Sequence, residues 1–172
     1  MKKIGLILLC VIILLGVSGC GKEENNVAKK DLEIYKCEYQ DSESLSALEF
    51  YYDKTNNEYT KVKSYYQVFN IPAENNGLEE YEQIVSKLQK NTNLNLTWKL
   101  ENNTLYESTE IELSDVDNDF IKYIGQVEDK YDITESVENI FYLLKDNVYQ
   151  DNKIDNKKIT SFIKENNCKI VE

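Results

Sequence analysis

The 172-residue chain contains no arginine and no histidine. Without imidazole it lacks the usual general base and the commonest neutral metal ligand. Ser-His-Asp and Cys-His catalysis are therefore excluded within this chain. Every cationic side chain is a lysine, and lysines are outnumbered 20 to 31 by acids, for a net charge of −11. That balance argues against nucleic acid as a partner and against broad contact with anionic headgroups. Its plainest meaning is solubility. Proline occurs once, at Pro72, and cysteine four times. No strongly apolar run follows residue 20.

What is present is concentrated at the start. Met1-Lys2-Lys3 is cationic, and Ile4 to Val17 is apolar apart from small residues and Cys10. Val17-Ser18-Gly19-Cys20 follows. A positive n-region, an apolar h-region of about 7–15 residues and small residues at the cut describe a secretory signal. A spanning helix needs roughly 18 or more apolar residues, and this run stops short of that in Ser18 and Gly19. The pattern resembles bacterial lipoprotein precursors. That resemblance implies a diacylglyceryl group on the Cys20 sulfur and cleavage between Gly19 and Cys20. Thiolate sulfur is the nucleophile such a thioether requires, and two acyl chains suffice for stable anchoring. Residues 1–19 are then the signal peptide. Residues 20–30 are the lipidated cysteine and a polar tether, reaching up to about 35 Å when extended. Residues 31–172 are a single exported domain. The expected location is the cell membrane, lipid-anchored on its extracytoplasmic face.

Processing would leave 18 lysines against the 31 acids, near −13. It would also leave Cys37 and Cys168 as the only free thiols. In an oxidising compartment these two are candidates for a disulfide. Two buried free thiols are the alternative.

Alternation predicts strands over Leu32–Tyr39, Leu45–Asp53 and Glu58–Ile71, with a turn at Lys54-Thr55-Asn56-Asn57. Pro72 and Gly77 bracket a break. Tyr81, Ile84, Val85 and Leu88 recur at helical spacing. Strands near Leu94–Leu100 and Leu105–Leu113 flank a hairpin turn at Asn102-Asn103. In the second of these, Glu107, Thr109, Ile111 and Leu113 oppose a wet face of Ser108, Glu110 and Glu112. Asp119–Ile124 predicts a short helix. Ile133–Val148 predicts a longer one, with Asp132 and Glu135 at capping-box spacing. A helix over Lys157–Glu165 and a strand over Cys168–Val171 close the chain.

This order predicts an α+β fold, an antiparallel sheet with about three helices packed on one face. Lipobox, acidic exported domain, hairpins and a late Ile-Phe-Ile helix before a C-terminal strand resemble the YehR-like small lipoproteins. That family implies an anchor and an α+β domain but no catalytic residue.

Three candidate sites stand out. Asp115, Asp117 and Asp119 have the opening spacing of a calcium loop, but Phe120 and Gln126 occupy the positions needing Gly and Glu. A helix cap is the expected role, and no metal or other cofactor is expected. Tyr51-Tyr52 and Tyr65-Tyr66 lie in predicted strands, so one ring of each pair faces the core and one faces out, a possible platform for glycan, peptide or protein. Acid pairs such as Glu79-Glu80 are inevitable in so acidic a chain. The expected function is a non-catalytic binding module with no enzymatic activity. Its partners are the membrane through Cys20 and an envelope protein, glycan or small ligand. A structural or envelope-stress lipoprotein without a pocket is the alternative; an enzyme using carboxylates or a metal ranks below both.

Overall fold

A computed structural model describes residues 31–71, 78–128 and 134–171. The signal, Cys20, the tether, the Pro72–Gly77 break, Asp132 and Ile133 lie outside the described residues.

Six strands form one antiparallel sheet: β1 Leu32–Gln40, β2 Ser44–Asp53, β3 Glu58–Val68, β4 Asn95–Glu101, β5 Thr104–Glu112 and, last in the chain, β8 Lys169–Val171. Their spatial order is β4-β5-β3-β2-β1-β8. The helices are α1 Leu78–Asn91, α2 Asn118–Glu128, α3 Glu135–Tyr142 and α4 Asn156–Glu165. The α+β class is as the patterning predicts, with four α-helices among the described residues against the expected three or so. A two-stranded hairpin, β6 Tyr149–Gln150 and β7 Lys153–Ile154, precedes α4.

Register settles which residues share a face. Cys37, Leu48, Ser64, Thr109 and Leu96 lie in one cross-strand row, and Tyr35, Phe50, Val62 and Ile111 in the next. These rows face the helices. Phe50, Val62 and Ile111 are buried with Leu88, Ile124, Val137, Ile140, Phe141, Leu144 and Ile159 in one core.

Turns are built from asparagine and aspartate. Every described non-glycine residue with positive φ is one of these: Asn57, Asn70, Asn102, Asn103, Asp151, Asn152 and Asn167. Their short polar side chains tolerate the left-handed region that glycine usually fills. Asn102-Asn103 and Asp151-Asn152 each place two such residues between paired strands, the type I′ geometry that matches strand twist. Asn70 also explains why β3 ends at Val68 and not at Ile71, because the chain turns there.

Two helix boundaries differ from expectation for physical reasons. The third helix keeps regular α geometry only to Tyr142. Leu143–Val148 then widens into a π-helical turn, which keeps Leu143, Leu144 and Val148 all buried. Its N-cap is Thr134, and Thr134 makes no side-chain cap bond. The expected Asp132–Glu135 capping box involves Asp132, which lies outside the described residues; among those described, a contact from the sheet, given below, serves this helix start. Helix α4 matches its sequence signals closely. Asp155 caps it by accepting from Lys157 N–H at 2.9 Å. It ends with Asn167 N–H bonded to Lys164 C=O (3.2 Å) and Cys168 N–H to Ile163 C=O (3.0 Å), the Schellman pattern.

That cap aims Cys168 at the sheet. Cys37 and Cys168 are joined by a disulfide, with Cα atoms 4.2 Å apart and a sequence separation of 131. The bridge ties the end of the helical layer to β1, beside which β8 pairs through Ile34, Tyr35 and Lys36.

Candidate binding face

Among the described residues, helices cover one face of the sheet only. The other face is a grid of polar and aromatic side chains, and the strand register orders it. One row runs Asn95, Glu110, Lys63, Glu49, Lys36 across β4, β5, β3, β2 and β1. Its four charged members alternate in sign, the arrangement in which cross-strand neighbours attract. The Glu110 carboxylate forms ion pairs with Lys61 at 3.7 Å and Lys63 at 3.9 Å. The next row runs Thr97, Ser108, Tyr65, Ala47, Glu38. The one after it runs Lys99, Tyr106, Gln67, Leu45, Gln40.

Tyrosines anchor this grid. Tyr51 and Tyr65 both direct their hydroxyls to Glu49 Oε2, at 3.1 and 3.3 Å. A lysine braces each ring: Lys61 Nζ stands 4.4 Å from the Tyr51 centroid, Lys63 4.7 Å from Tyr65 and Lys99 4.8 Å from Tyr106. Burial, then the Glu49 carboxylate, raises the Tyr51 hydroxyl pKa well above its ordinary value. The adjacent Tyr65 hydroxyl, and after it the Glu110 and Glu49 carboxylates, raise the Lys63 pKa. Tyr51 and Tyr65 lie on the open side while Tyr52 and Tyr66 face the helices, as alternation predicts. The open rings are half-buried among their neighbours rather than fully exposed. Between Tyr65 and Tyr106, where the small residues Ser108 and Thr97 stand, the surface sinks into a recess of about 360 Å³.

Beneath the recess lies a buried polar cluster. Glu107, 5 % exposed, shares the helix-facing side with Thr109. Its Oε2 accepts from Ser136 N–H at 3.2 Å. A strand carboxylate thus serves the first turn of α3, where orphan N–H groups and the helix dipole favour negative charge. Ser136 Oγ lies 2.7 Å from Thr109 Oγ1. The Tyr81 hydroxyl of α1 is buried beside Glu107, near enough to feel its charge but not aligned for a hydrogen bond. Tyr66 of β3 feels the same carboxylate. Desolvation outweighs these favourable contacts and raises the Glu107 pKa.

An acid with a raised folded pKa stabilises the fold fully below its unfolded value and progressively less as pH rises through the folded one. Glu107→Gln removes that loss and keeps an acceptor for Ser136 N–H. Relative to wild type, the variant is expected to gain stability between pH 4 and pH 7, by about 1.4 kcal/mol for each tenfold weakening of the acid by the fold. Urea unfolding at both pH values checks this; an equal difference at both would refute it.

The other sequence candidates separate. Asp117 Oδ1 accepts from Phe120 N–H at 2.8 Å, which makes it a cap on α2. Asp115, Asp117 and Asp119 border a surface hollow with Asn91 and Asn93. Among the described residues no three His, Cys, Asp or Glu side chains are grouped to hold a metal ion. Glu79 is exposed in the first turn of α1.

No family model matches the chain, and no curated protein or solved structure is similar to it. No described helix is long and apolar enough to cross a membrane.

Proposed function

We propose that this chain is a lipid-anchored extracytoplasmic binding module, non-catalytic, whose working surface is the open face of its sheet. The observation that carries the reading is the grid itself. One side of the sheet holds the core. The other carries ordered tyrosines, amides and hydroxyls around a recess. The export pattern ending at Cys20 supports an anchored location on the outer side of a membrane, with the polar tether between lipid and domain.

Two experiments on the full chain in cells test it. Cys20→Ala should leave an uncleaved or released form without lipid; normal processing and membrane retention would refute the anchor. A photo-crosslinking residue at Ser108, inside the recess, should capture envelope material, while one at Lys157, exposed on α4, should not. Equal capture from both positions, or none from either, would refute the binding face.

A further inference from the structure

We infer that the recess between β3, β5 and β4 receives a neutral oligosaccharide. This rests on the binding-module reading and specifies its ligand. Six side chains from two adjacent rows form the site. Tyr65, Ser108 and Thr97 make one row, and Gln67, Tyr106 and Lys99 the other. Strands lie about 4.8 Å apart and same-face residues on one strand about 6.8 Å apart. The two tyrosines therefore occupy diagonal positions, with the small Ser108 and Thr97 leaving the floor open. Such a floor suits a sugar. The C–H face of a pyranose packs against an aromatic surface, and its hydroxyl edge needs donors and acceptors around the rim. Gln67, Thr97, Ser108 and the Tyr106 hydroxyl supply both kinds.

Charge decides between a neutral ligand and an anionic one. The lysines of β1, β3 and β4 on this face each have a carboxylate partner. Lys36 is 2.5 Å from Glu38 and Lys99 2.6 Å from Glu101, while Lys61 and Lys63 lie 3.7 and 3.9 Å from Glu110, and Glu49 stands opposite Lys63 in the register as the second carboxylate for that pair. An anionic polymer would find no unneutralised cation among them and would approach a strongly acidic chain. A cationic ligand would compete with lysines already holding those carboxylates. A neutral polyol needs neither charge displaced.

Tyr65 and Tyr106 are held in place by the lysines described above, so little freedom is lost when a ligand docks. Trp98, the single tryptophan, contributes to the floor from β4, with its indole against Tyr81 on the far side at 5.1 Å between centroids.

The test uses the full lipidated chain in micelles of a detergent without a sugar headgroup. Maltotetraose, cellotetraose and tetra-N-acetylchitotetraose are titrated by calorimetry. At least one should bind weakly, with an affinity unchanged between about 0.05 and 0.5 M salt because no ion pair forms. Tyr106→Ala should weaken binding about tenfold. Ser108→Tyr, which fills the recess and removes no packing, should also abolish it. Lys157→Ala, exposed on α4 away from the open face, should leave it unchanged. Thermal unfolding of each variant separates lost binding from lost folding. Binding of none of the three sugars would overturn the proposal, as would binding equal in Ser108→Tyr or binding only of the polyanion polyglutamate. If the sugars fail while Ser108 still crosslinks in cells, the ligand class is wrong and the binding module stands. If both fail, both are wrong.

Discussion

Replacing Cys168 by serine is expected to lower the unfolding free energy by about 4–5 kcal/mol. The estimate follows from loop closure. A bridge across 131 residues constrains nearly the whole described chain when unfolded, and the chain-entropy model assigns about 5 kcal/mol to a loop of that length. For a domain whose total stability is on the order of 5–15 kcal/mol, this is a large fraction. Urea unfolding of the oxidised protein, the oxidised protein with reductant and Cys168→Ser should give one high and two matching low stabilities. A local signature should accompany the global one. Strand β8 holds β1 through only three residue pairs, and Ile170 is largely exposed. Without the bridge, the amides of Ile170 and Val171 should exchange faster than those of β2 and β3. A loss below about 1 kcal/mol would mean that strain or residual unfolded structure offsets the entropy term. Denatured, unreduced protein should show no reactive thiol from Cys37 or Cys168.

Phe50→Ala is expected to cost about 3–5 kcal/mol. Phe50 is fully buried at the centre of the helix-facing side of β2. Its ring meets Phe162 of α4 at 5.7 Å and Tyr59 of β3 at 6.4 Å between centroids. Truncation therefore opens a void where sheet and α4 join. Rigid β-strands on two sides limit collapse into that void, so the upper part of the range applies. The same substitution should couple to the disulfide, because α4 carries Phe162 and leads directly to Cys168. In a double-mutant cycle the two losses should fall short of additivity. Strict additivity would show that α4 stays docked without the bridge. Denaturant midpoints of the four proteins in the cycle supply the measurement.

The sheet was legible in the sequence because its signals are local. Alternation in Leu45–Asp53 and Leu105–Leu113 assigns faces without knowledge of partners, and the structure keeps those faces. Asn102-Asn103 marks its turn by residue type alone. The Tyr81–Leu88 stripe marks α1 in the same way. What stayed hidden depends on residues distant in the chain. Glu107 falls in the apolar phase of β5, but its carboxylate serves Ser136, 29 residues later. No spacing rule connects a strand acid to a helix start that far away. The β6–β7 hairpin was missed because each strand has two residues and its Asp151-Asn152 turn lacks glycine. The extra width of Leu143–Val148 leaves a pattern too close to ordinary helical spacing to be noticed. The recess is the clearest case. Tyr65, Ser108 and Thr97 become neighbours only through the register of three strands. Tyr106 meets Gln67 and Lys99 by the same register. A slip of one residue in β5 would exchange the two faces and erase the site. The alternating charges of Glu110, Lys63, Glu49 and Lys36 penalise such a slip.

The Cys37–Cys168 bond also determines how the domain carries a pull. Tension entering from the residues before Leu32 first meets β1, which is held to β2 by hydrogen bonds along its whole length. Beyond Cys37 the load has a second route, through covalent bonds into Cys168 and the end of α4. Hydrogen-bonded strands peel one pair at a time, whereas a covalent path does not. The stretch of β1 before Cys37 is thus the part of that strand that meets force with no covalent brace.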